Sequence, residues 1–173
     1  MITIFSATNR NDSMTFVVSN LYSKLLNQNG VENQILDLRD LPNDFMFTNS
    51  FGASTDSFMK IVDKYLVLAD RFIVVSPEYH GSYPGIFKAF MDCIGKGPVE
   101  TKKVALVGVS SGRAGNLRGM EHLTGLFHHL RAEVFSLKPK ISEIKKLINQ
   151  DGVLDDKETV LLLENQLRQF LVF

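Results

Sequence analysis

Short apolar segments rich in β-branched residues alternate with helix-length amphipathic segments along this chain of 173 residues. The strand-like segments are 2–6, 33–38, 71–76, 103–110 and 133–137. This alternation predicts repeated βαβ units and a parallel sheet. The segments at 73–75 and 104–107 are continuously apolar, which is typical of central strands that helices cover on both faces.

Amphipathic spacing predicts helices over about 13–27, 55–69, 86–94, 116–130 and 155–170. Residues 40–54 have no period and are interpreted as a packed surface loop or a lid. Residues 138–152 are interpreted as a solvated excursion, with a possible short helical stretch at 141–148. Because βαβ crossovers are right-handed, five strands fit the order 2-1-3-4-5, which places a ligand crevice at the carboxyl ends of strands one and three.

Charge and composition exclude several classes of partner. Lysine plus arginine equals aspartate plus glutamate at 19 each, so no overall field attracts nucleic acid or an anionic membrane. No apolar run has the length of a membrane span, and the N-terminus lacks the pattern of a signal peptide. We expect one soluble, cytoplasmic domain over residues 1–173. The single cysteine, Cys93, excludes an internal disulfide; a small buried hydrophobe is favoured over a redox thiol.

The loop after the first strand is dense in hydroxyl groups and leads into a helix. It runs Ser6-Ala7-Thr8-Asn9-Arg10-Asn11-Asp12-Ser13-Met14-Thr15. Free N–H groups at the helix start, the Arg10 charge and the nearby hydroxyls favour a bound phosphate. A hydroxyl-rich helix cap beside a surface arginine explains the same residues equally well. Neither a Walker loop nor G-x-G-x-x-G is present, which disfavours a nucleoside triphosphate and the usual dinucleotide grip.

The loops after the third and fourth strands are rich in glycine, and the earlier one also in proline and tyrosine. The first of them runs Ser76-Pro77-Glu78-Tyr79-His80-Gly81-Ser82-Tyr83-Pro84-Gly85. Such a rigid loop suits the edge of a planar heterocycle, with Tyr79 or Tyr83 against a ring face, as a flavin site requires. The second runs Ser110-Ser111-Gly112-Arg113-Ala114-Gly115-Asn116, where N–H groups suit a flavin carbonyl edge and Arg113 suits a second anion. Ordinary turns into helices are the alternative for both loops.

Metal binding and hydrolysis are disfavoured. His80 has no second ligand at metal-binding spacing, and His122, His128 and His129 lack a carboxylate or cysteine to complete a set, so these three are interpreted as structural or interfacial. The nucleophile motif G-x-S-x-G is absent.

These loops resemble the NADPH-dependent FMN reductase family of flavodoxin-like proteins, which includes small quinone and azo-dye reductases. The family pattern G-S-x-R-x-x-S is similar to residues 7–13, and P-E-Y-N-x-S-x-P-x is similar to residues 77–85. A serine-glycine turn with a further glycine resembles residues 110–115. The resemblance spans nearly the whole chain.

The resemblance implies a flavodoxin-like three-layer α/β sandwich that binds FMN and takes electrons from NADPH or NADH. The implied phosphate-binding residues are Thr8, Arg10, Ser13, Met14 and Thr15. For the ribityl chain and ring they are Pro77, Glu78, Tyr79, His80, Gly81 and Ser82. For the pyrimidine edge they are Ser110, Ser111, Gly112, Arg113 and Gly115.

Three positions depart from the family pattern. Ala7 and Asn116 stand where the family has glycine, and His80 stands where it usually has asparagine. If the glycine at position 7 requires a positive φ, alanine there costs about 1 kcal/mol or more, and the loop must rearrange.

The implied activity is hydride transfer from NAD(P)H through FMN to a second acceptor: free flavin, a quinone, an azo compound or a metal oxyanion. No catalytic side chain is required. A non-enzymatic FMN-binding electron carrier or a flavin-sensing module stays open, although the neutral charge disfavours a carrier, since such carriers are usually acidic. The family also implies a homodimer or homotetramer. Helix 86–94 has more apolar residues than one buried stripe needs, although burial within one chain explains them equally well.

Overall fold

The computed structural model describes residues 1–173, and its six strands form one parallel sheet. The strands are β1 Ile2–Ser6, β2 Asn33–Asp37, β3 Arg71–Pro77, β4 Lys103–Val109, β5 Glu133–Val134 and β6 Lys140–Ile141. Their order is β2-β1-β3-β4-β5, and β6 pairs with the carboxyl end of β4. The predicted order of five strands is confirmed.

Six α-helices connect or follow the strands. They are α1 Met14–Gln28, α2 Phe45–Thr48, α3 Asp56–Val62, α4 Gly85–Ile94, α5 Leu117–His129 and α6 Lys157–Val172. No helix has both the length and the apolar character needed to cross a membrane.

Both faces of the sheet are covered, because successive strand side chains point in opposite directions. Ile4 and Ile73 pack with α1 and α6 in one core, whereas Phe5 and Val74 pack with α3, α4 and α5 in the other. This two-sided burial is why the central strands are continuously apolar in sequence.

The predicted fifth strand, 133–137, is wrong in its second half. Only Glu133–Val134 pairs with β4, and pairing resumes at β6. Between them the buried Gln166 of α6 donates its amide to Leu106 O at 3.0 Å and to Leu137 O at 2.8 Å. A side chain thus replaces main-chain pairing at this point, and the strand divides into two.

Three further predictions need correction. The helix predicted over 55–69 is α3, followed by a wide π-helical turn at Asp63–Val67. Residues 40–54 contain the single-turn helix α2. Residues 138–152 are not simply a solvated excursion: Ile141 and Ile144 are buried, and the predicted short helix is a 3-10 turn at Ile144–Lys146.

Candidate functional site

A cleft of about 380 Å³ lies at the carboxyl ends of β1, β3 and β4. It brings together all three loops that the sequence singles out. The predicted site residues that line it are Thr8, Arg10, Ser13, Met14, Thr15, Pro77, Glu78, Tyr79, His80, Gly81, Ser110, Ser111, Gly112 and Arg113. The lining residues that the sequence prediction missed are Asp12, Val109, Ala114, Ile144 and Lys145.

The start of α1 forms one wall and presents a row of backbone donors. Ser13 is the N-cap residue, and its hydroxyl accepts a hydrogen bond from the N–H of Phe16 at 3.4 Å. The N–H groups of residues 11–15 have no acceptor within the protein. Since the helix dipole adds partial positive charge here, this wall suits an anion with several oxygen atoms.

The first loop is tied to the loop after β3 by one side-chain contact. The hydroxyl oxygens of Thr8 and Tyr79 are 2.7 Å apart, and the N–H of Arg10 donates to the Thr8 hydroxyl at 3.3 Å. Because Tyr79 is committed to this contact at the rim, it links two of the walls.

The loop after β3 contains a tight two-residue turn. Tyr79 and Ser82 exchange both main-chain hydrogen bonds, at 2.9 and 3.0 Å, across His80 and Gly81. Both central residues have positive φ, 52° for His80 and 73° for Gly81, as a type I′ turn requires. Asparagine and glycine adopt this conformation most readily, and here His80 adopts it in place of the family's usual asparagine.

Tyr83 does not face the cleft. Its ring packs edge-on against Phe87, with centroids 6.2 Å apart, and burial raises the pKa of its hydroxyl. Of the two tyrosines proposed to contact a ring, only Tyr79 lines the cleft.

The loop after β4 is held from behind by residues 142–144. The N–H of Glu143 donates to Gly112 O at 2.9 Å, the N–H of Ile144 to Ser110 O at 3.1 Å, and the Ser142 hydroxyl to Arg113 O at 2.7 Å. The N–H groups of residues 111–114 are left without an acceptor in the protein. This packing also carries Ile144 and Lys145 into the cleft wall, and no local sequence signal reveals it because the contact joins distant segments.

Asn116 joins the ends of β3 and β4. Its buried side-chain amide donates to Ser76 O and Pro77 O, each at 3.0 Å, and its backbone N–H donates to the Glu78 carboxylate at 3.1 Å. Its Oδ1 is buried without a hydrogen-bond partner. A Cβ on Gly119 would lie 2.0 Å from this oxygen, so only glycine is accommodated there.

Two predicted residues do not line the cleft. Ser82 turns toward α5, where its hydroxyl lies 2.8 Å from Nδ1 of His122. Gly115 is buried, and its N–H donates to the Ser110 hydroxyl at 2.9 Å instead of facing a ligand. Ala7 has no positive φ, and its N–H donates to Val75 O at 3.0 Å, so alanine needs no rearrangement of the first loop.

Cations outnumber anions around the cleft. Arg10, Arg113 and Lys145 line it together with Asp12 and Glu78, and none of the three cations forms an ion pair within the chain. The neutral protein therefore concentrates positive charge locally. Unpaired N–H groups on two walls and free cations fit a ligand that carries a phosphate and carbonyl oxygens, which is the chemistry of FMN.

Solved structures with the same fold cover almost the whole chain. The flavoenzyme FerB, an NAD(P)H:(acceptor) oxidoreductase from Paracoccus denitrificans, is 23% identical, with a TM-score of 0.81 over 99% of this chain and 94% of that one. An NADH:FMN oxidoreductase is 18% identical, with a TM-score of 0.76 over 99% and 88%. A Megasphaera elsdenii flavodoxin is 13% identical, with a TM-score of 0.59 over 98% and 99%. The fold is therefore flavodoxin-like.

Comparison with curated protein sequences gave no match. The family model for NADPH-dependent FMN reductases matches residues 1–141, a span that includes the loops after β1, β3 and β4. The resemblance drawn from those loops is confirmed: this chain belongs to the NADPH-dependent FMN reductase family, a family of enzymes.

Proposed function

We propose that this chain binds FMN in the cleft and acts as an NAD(P)H-dependent oxidoreductase. When bound, FMN would supply hydride and electron transfer between NAD(P)H and a second acceptor. We propose the acceptor to be a small molecule: free flavin, a quinone, an azo compound or a metal oxyanion. The similar protein FerB is an NAD(P)H:(acceptor) oxidoreductase whose acceptor is likewise not specified, which supports this range of acceptors.

In this proposal, the walls of the cleft bind and orient, and no side chain acts as a nucleophile. The N–H groups of residues 11–15 and Arg10 hold the phosphate. The turn at His80 and Gly81 and the Tyr79 side chain border the ribityl chain and ring. The N–H groups of residues 111–114 donate to the carbonyl edge, and Arg113 and Lys145 add positive charge for anionic groups.

One observation carries the proposal. Two separate runs of unpaired backbone N–H groups, 11–15 and 111–114, border the same cleft. Residues 11, 12 and 111–114 are exposed, so their N–H groups are accessible to a ligand that enters the cleft, and two such runs at one cleft favour a ligand rich in acceptors at both ends.

Flavin binding and reduction test the proposal. Titration of the purified protein into FMN should quench the flavin fluorescence to saturation. Under anaerobic conditions, NADPH or NADH should then bleach the bound flavin in a stopped-flow experiment, and the faster of the two identifies the preferred donor. Absence of quenching with the protein in excess over FMN would refute FMN binding, and a flavin that neither nucleotide reduces would refute the oxidoreductase.

We also propose that the chain forms a homodimer or a homotetramer through the surface near α2 and α4. Phe47 and Phe51 are 83% and 105% exposed, and Met46 beside them is 40% exposed. Phe51 has a φ of 57°, a conformation that costs a bulky residue about 1–2 kcal/mol. Exposure and strain at one loop tip both favour a surface that a second copy of the chain covers.

A further inference from the structure

The turn after β2 lies directly against the loop that begins α1. In the parallel register, Asp37 at the end of β2 is opposite Ser6 at the end of β1. A 3-10 turn follows at Leu38–Asp40, and it carries Arg39. Arg39 does not line the cleft, and only 30% of its side chain is exposed.

The Arg39 guanidinium is fixed on one side by Asp37. Nε donates to Asp37 Oδ2 at 2.9 Å and Nη2 donates to the same oxygen, while the backbone N–H of Arg39 donates to Oδ1 at 3.0 Å. The hydrogen bond to Asp37 is the main reason that the pKa of Arg39 is raised. The Asp37 side chain is only 6% exposed, which anchors the pair to the sheet.

The other side of the guanidinium contacts the loop after β1 on both sides of its unpaired N–H groups. Nη1 donates to Asn11 O at 3.0 Å, and the guanidinium carbon lies 4.7 Å from the centre of the Phe16 ring. Asn11 and Phe16 bracket residues 12–15, whose N–H groups have no acceptor in the protein.

We infer that Arg39 is a positioning residue that holds the N–H groups of residues 11–15 in the geometry for a phosphate. It acts through the loop and does not touch the ligand. Neighbouring N–H dipoles that point the same way repel one another, and before the ligand binds nothing offsets this repulsion. A contact from outside the loop that keeps these groups aligned lowers the entropy cost of ordering the loop on binding. The inference rests on the proposed function, which assigns the FMN phosphate to this loop.

Comparison of FMN with riboflavin tests the inference, because riboflavin lacks the phosphate. The variants Arg39→Ala and Arg39→Lys should each bind FMN about tenfold or more weakly, while their Kd for riboflavin stays within about twofold of the wild-type value. Lysine keeps the charge, but one ammonium group cannot span Asp37, the Asn11 carbonyl and the Phe16 ring. Arg39→Lys also serves if the alanine variant does not fold.

Arg71 provides a matched control. It donates to Phe170 O and lies 5.5 Å from the Phe170 ring centre, but at the opposite end of the sheet. Arg71→Ala should therefore change neither flavin affinity. In the flavin-free protein, ¹⁵N relaxation should show lower order parameters for residues 11–15 in both Arg39 variants and not in Arg71→Ala.

Three results would overturn the role of Arg39: equal losses for FMN and riboflavin, full FMN affinity in Arg39→Lys, or unchanged order parameters at residues 11–15. If the wild-type protein binds neither flavin, the proposed function fails instead, and the relaxation measurement still decides whether Arg39 holds the loop.

Discussion

At the scale of single residues, Asn116 links the ends of two strands with one amide. Its φ of 62° places it in the left-handed region, which asparagine tolerates better than other non-glycine residues. Glycine, the family's usual residue here, would keep this conformation and lose the donors to Ser76 O and Pro77 O. The departure from the family pattern therefore exchanges backbone freedom for a cross-link beneath the cleft.

Replacing Asn116 with aspartate should destabilise the protein. In Asn116→Asp an oxygen takes the place of Nδ2 and faces two carbonyl oxygens, so we expect the free energy of unfolding at neutral pH to fall by at least about 2 kcal/mol. Urea denaturation followed by circular dichroism measures it. Asn20→Asp, on the exposed surface of α1, is the control. A loss no larger than the control's would show that the amide contributes little.

The residues of the site were easier to predict than their conformation. The loop compositions identified most of the cleft lining, because glycine, proline and hydroxyl residues mark loops at strand ends. The directions of Ser82 and Gly115 were not predictable. The Ser82 hydroxyl is held by His122, which is distant in sequence, and the Gly115 N–H is held by the Ser110 hydroxyl within a local turn.

At the scale of secondary-structure elements, α6 determines how the last strands pair. Gln166 is wholly buried, and the Tyr22 hydroxyl of α1 donates to its Oε1. The resulting chain of contacts runs from α1 through α6 to Leu106 O and Leu137 O in the sheet. Apolar periodicity predicts α6 as an amphipathic helix, but it gives no sign that a polar residue on the inner face interrupts a strand.

Removing the Tyr22 hydroxyl tests this chain of contacts. Tyr22→Phe leaves Gln166 Oε1 buried without a donor, so the free energy of unfolding should fall by about 1–3 kcal/mol. Tyr65→Phe is the control, because the Tyr65 hydroxyl has no hydrogen-bond partner. Equal effects in the two variants would contradict the role of Tyr22.

Alkaline pH provides a second measurement on the same pair of variants. Burial raises the pKa of Tyr22 well above its ordinary value. As the pH passes about 10, the unfolded chain loses this proton and the folded chain keeps it, so wild-type stability falls. The phenylalanine variant should lose less stability over that range.

At the scale of the whole molecule, strand order followed from the sequence because chirality leaves few ways to connect βαβ units. The site followed from strand order, since loops at the carboxyl ends of adjacent strands meet. The position of residues 140–146 could not be predicted from the sequence, because it depends on hydrogen bonds to the loop after β4. Patterns within the chain therefore indicate the sheet and the edge that carries the cleft, whereas contacts between distant segments complete the cleft wall.

The oligomeric state of the molecule is predicted to depend on the exposed side chains of Phe47 and Phe51. The double variant Phe47→Ser with Phe51→Ser should shift the protein from dimer or tetramer toward monomer in sedimentation velocity, because it removes the most exposed aromatic surface near α4. Leu161→Ser, which alters a side chain 63% exposed on α6, should leave the assembly unchanged. A monomeric wild-type protein, or a double variant that still assembles, would contradict the proposed interface.

The hydrogen bonds of Gln166 limit how readily the three cleft loops could be transferred to another protein. The family match ends at residue 141, and the last cleft residue is Lys145, yet the amide that bridges Leu106 O of β4 and Leu137 O comes from a helix that begins at 157. A graft of the three loops onto another sheet of the same order would transfer the ligand-facing groups without this bridging amide. The recipient scaffold would need its own side chain at this position before the loop after β4 could keep its shape.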